Sequence, residues 1–456
     1  MRFSLHPLRV AWFLLPCVCL GANLFGQDKS SANKSMAGAS RVRRKAGIAI
    51  ASDPNLAREI SKIPIFDNHS HPGFADDPDV DAMTSPPGSS AFRLRPDNPE
   101  LVLASKALFS YQYNDYEAAH ARELTQRKDT LKRQLGKAYF DRILDELGIE
   151  KVIANRVAMP DYLDRKRFLW ACFADSFLFP FDNRRIRDQN VDEQTYLPLQ
   201  EKKLQRELRQ AGRQGLPDSL SDYLQFVSRV LEQNRADGAV AVKFEAAYFR
   251  SLSFGDPTRE EAEAIYANFW KSGVPSAAEY KVFQDFIFRH ILRESGRLHM
   301  AVHFHSSVGV GDYFSLQNGN VLNLENVLRD PRYDSVKFVL LHGGFPNDRQ
   351  AIWLAARKNV YVDSSFLELL LYPSEFKNIL KYWLTIFPDK VLYGSDAFPF
   401  NDVLGAEESY WLAVRSARSA LASALSELVS EHALTREQAL KMARGYLHDN
   451  AASLYK

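Results

Sequence analysis

Between residues 239 and 395 short apolar runs with ionisable residues toward their ends alternate with helical stretches, without an internal sequence repeat. The runs are 239–247, 300–306, 336–342, 360–364 and 391–395, and helical apolar spacing fills 259–271, 277–294, 347–356 and 373–385. Apolar strands alternating with helices are parallel strands under a helical cover. Earlier strand-like runs at 63, 150–157 and 168–179 bring the count to eight, which predicts an α/β fold of the (β/α)8 TIM-barrel type. Residues 73–235 otherwise read as helical and irregular, so a largely helical insertion after the first strands is expected within a barrel domain spanning 53–456. Helices at 406–429 and 435–455 close the chain.

Ionisable residues gather where the strand-like runs end. In Ile63-Pro64-Ile65-Phe66-Asp67-Asn68-His69-Ser70-His71-Pro72, alternate side chains of a strand share a face. His69 and His71 would therefore project together, as two ligands of one metal must. A pair of surface histidines at a strand end fits the same spacing. In the run at 239, Val240, Val242 and Phe244 share one face, and Ala241, Lys243 and Glu245 the other. With the apolar face on the helices, Lys243 and Glu245 point into the barrel mouth, and the same reasoning pairs His303 with His305. His342, Asp363 and Asp396 end later runs. Burying such groups unpaired is costly, so their recurrence at one end of the barrel marks a site.

Four of these stretches, FDNHSHP, VHFHSS, LLHGGFP and LYGSDAF, resemble in order and spacing the amidohydrolase superfamily, in its amidohydrolase-related (amidohydrolase 2) branch of metal-dependent barrel hydrolases and decarboxylases. The closing GYLHDNAASLYK is similar to that family's last helix. The resemblance spans roughly residues 60 to 456 and is firm for the first strand and the second half. It implies that His69 and His71 are metal ligands. His305 matches the fifth-strand ligand, preferred over His303 because Ser306 follows it. Asp396 would bind metal and accept a proton from the attacking water. His342 would be either a second-metal ligand or an acid/base group. Lys243 stands where some members carry a carboxylated lysine between two metals. Here it lies in Lys-Phe-Glu-Ala-Ala-Tyr-Phe-Arg, so Lys243, Tyr248 and Arg250 suit a grip on a substrate carboxylate equally well, and an internal Lys243–Glu245 salt bridge is nearly as good a reading. His303 is expected beside the ligands, orienting His305 or Asp396. The implied cofactor is a divalent metal, zinc by expectation, as one or two ions.

The formal charge of +2 gives no electrostatic case for nucleic acid or an anionic membrane surface. Arg2 and Arg9 precede an apolar run at 10–20, so residues 1–26 read as a secretory signal peptide and 27–52 as a flexible linker. The run is short for a membrane span. Export to periplasm or medium without a membrane anchor is expected. With the leader removed Cys172 is the only cysteine, which leaves no internal disulfide.

Together these features predict an exported metal-dependent hydrolase that cleaves an amide or a lactone-like ester of a small anionic substrate, with Asp396 and His342 catalytic. A non-oxidative decarboxylase or isomerase on the same metal barrel, or an exported binding protein without turnover, are the competing readings. Homo-oligomerisation through 73–235 is left open.

Overall fold

The computed structural model describes residues 52–80, 91–306 and 308–456. The expected signal peptide, and all but the last residue of the expected linker, lie outside them. Eight strands, β1 (Ile65–Ser70), β2 (Ile149–Arg156), β3 (Phe168–Phe173), β4 (Ala239–Phe244), β5 (Ala301–Phe304), β6 (Phe338–Leu340), β7 (Val360–Asp363) and β8 (Val391–Leu392), pair in parallel in chain order. Backbone bonds from Asn68 N–H to Tyr393 O (2.9 Å), from Asp396 N–H to His69 O (2.8 Å) and from His71 N–H to Ala397 O (2.7 Å) join the last strand to the first. This is the expected (β/α)8 barrel.

Side-chain alternation sets what fills it. Val242, Phe244, Val302, Phe304, Phe338 and Leu340 point outward into the core beneath the helices. Phe66, Ile153, Ala171, Ala241, Ala301, Val339 and Leu392 point inward and pack the lower barrel. The C-terminal helix Asn450–Leu454 plugs that end: Ala451 joins the inner cluster, and Tyr455 stacks on Phe66 with ring centres 5.8 Å apart. Above this plug, Lys243 pairs in register with His303, so apolar layers give way to ionisable ones toward the strand C-termini.

Among the described residues, the stretch 73–236 holds six α-helices and three 3-10 turns and also β2 and β3. The β2–β3 connection, residues 157–167, carries no helix. The long helix Val191–Gln210 starts from an Asn190 cap, whose side chain accepts the Glu193 N–H. At 435–455 one expected helix is instead Arg436–Arg444, a π turn at Gly445–Asp449, and Asn450–Leu454. The run expected at 391–395 is regular for Val391–Leu392 only, because residues 393–397 bend to follow β1, and Asp396 turns to a φ of +50°. No helix among the described residues is long and apolar enough to cross a membrane.

Candidate metal centre

His69, His71 and Asp396 meet at the C-terminal mouth. Asp396 Oδ1 lies 3.0 Å from His69 Nε2 and 3.5 Å from His71 Nε2. One ligand atom from each falls within 4.8 Å of the others, close enough to hold one metal ion. A register shift between Asp67 and Ser70 loosens β1 just where both rings turn to the mouth. Ser395 ties that bend down, its hydroxyl donating to Asp67 Oδ2 (2.5 Å) and its N–H to Asp67 Oδ1 (2.8 Å).

His305 and His342 complete the cluster. His342 Nε2 is 2.9 Å from His305 Nδ1, and His342 Nδ1 is 3.8 Å from Asp396 Oδ2 and 3.2 Å from Ser365 O. Asp363 accepts the His342 N–H (3.3 Å) and the Asn68 side-chain amide (2.7 Å), which fixes the backbone that presents the ring. His342 and Asp396 both have positive φ, +59° and +50°. Non-glycine residues in that region store backbone strain, a feature concentrated at functional sites.

Lys243 is buried with its Nζ 3.5 Å from His69 Nε2 and 3.8 Å from Glu245 Oε1, so the ring contact and the expected salt bridge coexist. The Tyr248 ring packs on His305 with centres 4.6 Å apart, at the cleft wall. Two expectations need correction. Arg250 is not at the site: it turns outward, pairing with Asp285 (2.6 Å) and Gln284 (3.0 Å), because the single 3-10 turn after β4 ends before it. His303 orients neither His305 nor Asp396. It lies one layer deeper, with Nε2 2.6 Å from the Tyr455 hydroxyl, which donates to Asn68 Oδ1 (2.5 Å).

Other contributors escaped the sequence reading. Asn155 of β2 places its amide nitrogen 2.7 Å from His69 Nδ1. Phe173 of β3 stacks on His71, ring centres 6.3 Å apart. The helix Val191–Gln210 lies over this face: the Tyr196 ring meets Tyr248 at 5.9 Å, and Lys203 Nζ sits 4.3 Å over Phe173. Asn155 was legible in principle as the inward polar residue of an apolar strand.

Protonation follows from burial. Burial holds the His69 ring well below the usual histidine range, and the Lys243 charge adds to this. His305 is held low by burial, then by His342 and Lys243, and His342 is lowered to about 4, chiefly by burial. Burial alone would raise Asp396, but the His69, His342 and His71 rings override it and hold the carboxyl well below its ordinary range. Neutral rings around an ionised carboxylate are the protonation states that metal ligation requires. The fit shows further in His305 Nε2, a buried ring nitrogen with no hydrogen-bond partner. The histidines and Asp396 line a narrow cleft, together with Val308, Phe366 and Phe398. A larger cleft lies between the β2–β3 connection and the helices that follow, and contains none of them.

A parallel barrel with histidines and a carboxylate at its C-terminal mouth defines a class of metal-dependent enzymes. Residues 236–456 match the amidohydrolase family model. A 154-residue stretch is 31% identical to the protein fluG of Emericella nidulans, covering 33% of this chain and 17% of that protein's length. Across 88% of this chain the fold is similar to that of a Lactobacillus casei protein described as a metal-dependent hydrolase, at 19% identity, with 97% of that chain covered and a TM-score of 0.58. It is also similar to uronate isomerase of Thermotoga maritima, at 14% identity, with 88% and 96% of the chains covered and a TM-score of 0.56.

Proposed function

We propose that the protein is a divalent-cation-dependent hydrolase acting on an amide or a lactone-like ester of a small anionic substrate. The observation that carries this reading is the buried His69–His71–Asp396 group at the barrel mouth. With His305 it offers a set of three rings and one carboxylate, which suits zinc. Bound there, such an ion would acidify water to about 7 and polarise a carbonyl.

The chain's own residues then have defined tasks. Asp396 Oδ1 faces His69 and His71, which leaves Oδ2, toward His342, as the oxygen to take a proton from the attacking water. His342 lies between that carboxylate and His305, placed to steady the carboxylate as it gains and passes on the proton. Phe366 and Phe398 narrow the cleft against bulk water. The Lys243 ammonium and the Tyr248 phenol orient an anionic group by charge and hydrogen bonding. Export is part of the proposal and rests on the basic start and apolar run of residues 1–26.

Metal analysis of the purified, reconstituted protein tests this reading. One equivalent per chain is expected, because the Lys243 charge beside His69 opposes a second cation. No bound metal after reconstitution refutes the reading. A substrate screen separates the chemistries: amine or alcohol release marks hydrolysis, carbon dioxide release a decarboxylase, and aldose–ketose conversion an isomerase.

A further inference from the structure

The helix Val191–Gln210 starts near the β5 loop, where Asp192 Oδ2 accepts the Tyr313 N–H (2.7 Å), and reaches β3 where Lys203 lies over Phe173. Its residues 193, 196, 200 and 203 share one face at helical spacing, while Leu197, Leu204 and Leu208 on the neighbouring strip enter the apolar core. Two of these positions are fixed by rings: Tyr196 against Tyr248, which packs on His305, and Lys203 over Phe173, which stacks on His71. Gln200 lies between them, one turn from each, and is 1% exposed. Neither its Oε1 nor its Nε2 has a hydrogen-bond partner, and Glu193 Oε2 on the same face has none. A stability-driven sequence would put leucine at such a position, because an unbonded buried carboxamide is costly. The cost persists where a ligand supplies the missing bonds.

We infer that this helix face is the specificity wall of the site, and that Gln200 reads a neutral substrate group presenting a donor and an acceptor side by side. Two kinds of group offer that edge, a carboxamide and a pair of hydroxyls; an apolar tail offers neither, and a second carboxylate only accepts. The inference rests on the reading of the mouth as a substrate site and adds what the substrate carries away from the scissile bond. A site built to bond such a group discriminates strongly against an analogue lacking it.

The test uses the full chain, metal-loaded, as wild type and as Gln200→Leu. Protection against thermal unfolding is titrated with N-acetyl-L-glutamine, D-glucuronate and N-acetyl-L-norleucine, which carry a carboxamide, hydroxyls and an apolar chain. Wild type is expected to favour one of the polar probes over norleucine, and the favoured probe names the group. Gln200→Leu should shrink that preference by about ten- to a hundredfold with metal content unchanged. The ligand-free melting temperature should rise, whereas a merely structural glutamine would lower it. Equal preference in the two proteins, or no polar preference in wild type, overturns the inference. Protection needs no turnover, so failure of the hydrolase reading would show separately, in metal content and product screens.

Discussion

Asn155 donates a side-chain N–H to His69 Nδ1 across 2.7 Å, and the same nitrogen faces Ser70 O at 3.3 Å and Ile153 O at 3.4 Å. That donor makes Nδ1 an acceptor, so the proton of the neutral ring sits on Nε2, toward Asp396. A cation taken up at Nε2 sends the proton to Nδ1, which then needs an acceptor. Asn155 Oδ1, buried and without a partner, supplies one when the carboxamide turns over. Asn155→Leu should weaken metal affinity by about 10- to 100-fold, the usual effect of losing such a supporting partner. Competition with a chelator measures it. Unchanged affinity would show that the tautomer is set elsewhere.

The proton-accepting role proposed for Asp396 has its own test. Asp396→Asn keeps the shape and removes the base, so kcat on an identified substrate should fall by about 10²- to 10⁴-fold. Circular dichroism should match wild type, since the backbone bonds that set the residue's bend use main-chain atoms. Unaltered turnover would assign the base to another group.

Much of the site was legible because its residues are punctuation at strand ends. His69, His71, His305, His342 and Asp396 each close an apolar run, and barrel geometry brings such ends together. What escaped has a physical reason. Glu193, Gln200 and Lys203 repeat at helical spacing like any solvated face, and only the tertiary path of their helix buries them. Arg250 follows the β4 residues closely in sequence, yet one turn of 3-10 helix swings it toward Asp285. His303 shares a face with His305, but two residues of rise put it in the layer below, where the chain's last tyrosine reaches it.

The buried His342 ring makes stability depend on pH in a stated direction. Its folded value is about 4, against about 6.5 unfolded. Between those values the unfolded chain binds the extra proton, so the neutral ring's contribution is complete above about 6.5 and is lost as pH falls toward 4. In metal-free protein the stability difference between wild type and His342→Gln should shrink across this window, by at most about 1.4 kcal/mol per pH unit. Urea melts of both proteins at several pH values read it, and parallel curves would contradict burial as the cause.

Tyr455 links the end of the chain to the centre of the barrel. Its hydroxyl gives its one proton to Asn68 Oδ1 at 2.5 Å, so toward His303 Nε2, 2.6 Å away, it accepts. His303 therefore carries its proton on Nε2, and its Nδ1 has no partner. Burial, with the Lys243 charge, lowers this ring to about 3, which keeps it neutral. Tyr455→Phe preserves the stack on Phe66 but strips a bond from Asn68 and His303, both fully buried. Leaving buried partners unsatisfied costs about 1–3 kcal/mol, so the urea midpoint should drop with an unchanged m-value. Asn68 also donates to Asp363, the carboxylate that accepts the His342 N–H. A loosened Asn68 should therefore lower kcat more than it raises KM, since the remote bond steadies the ring at the carboxylate rather than the substrate. A variant as stable and as active as wild type would leave Tyr455 as no more than a plug.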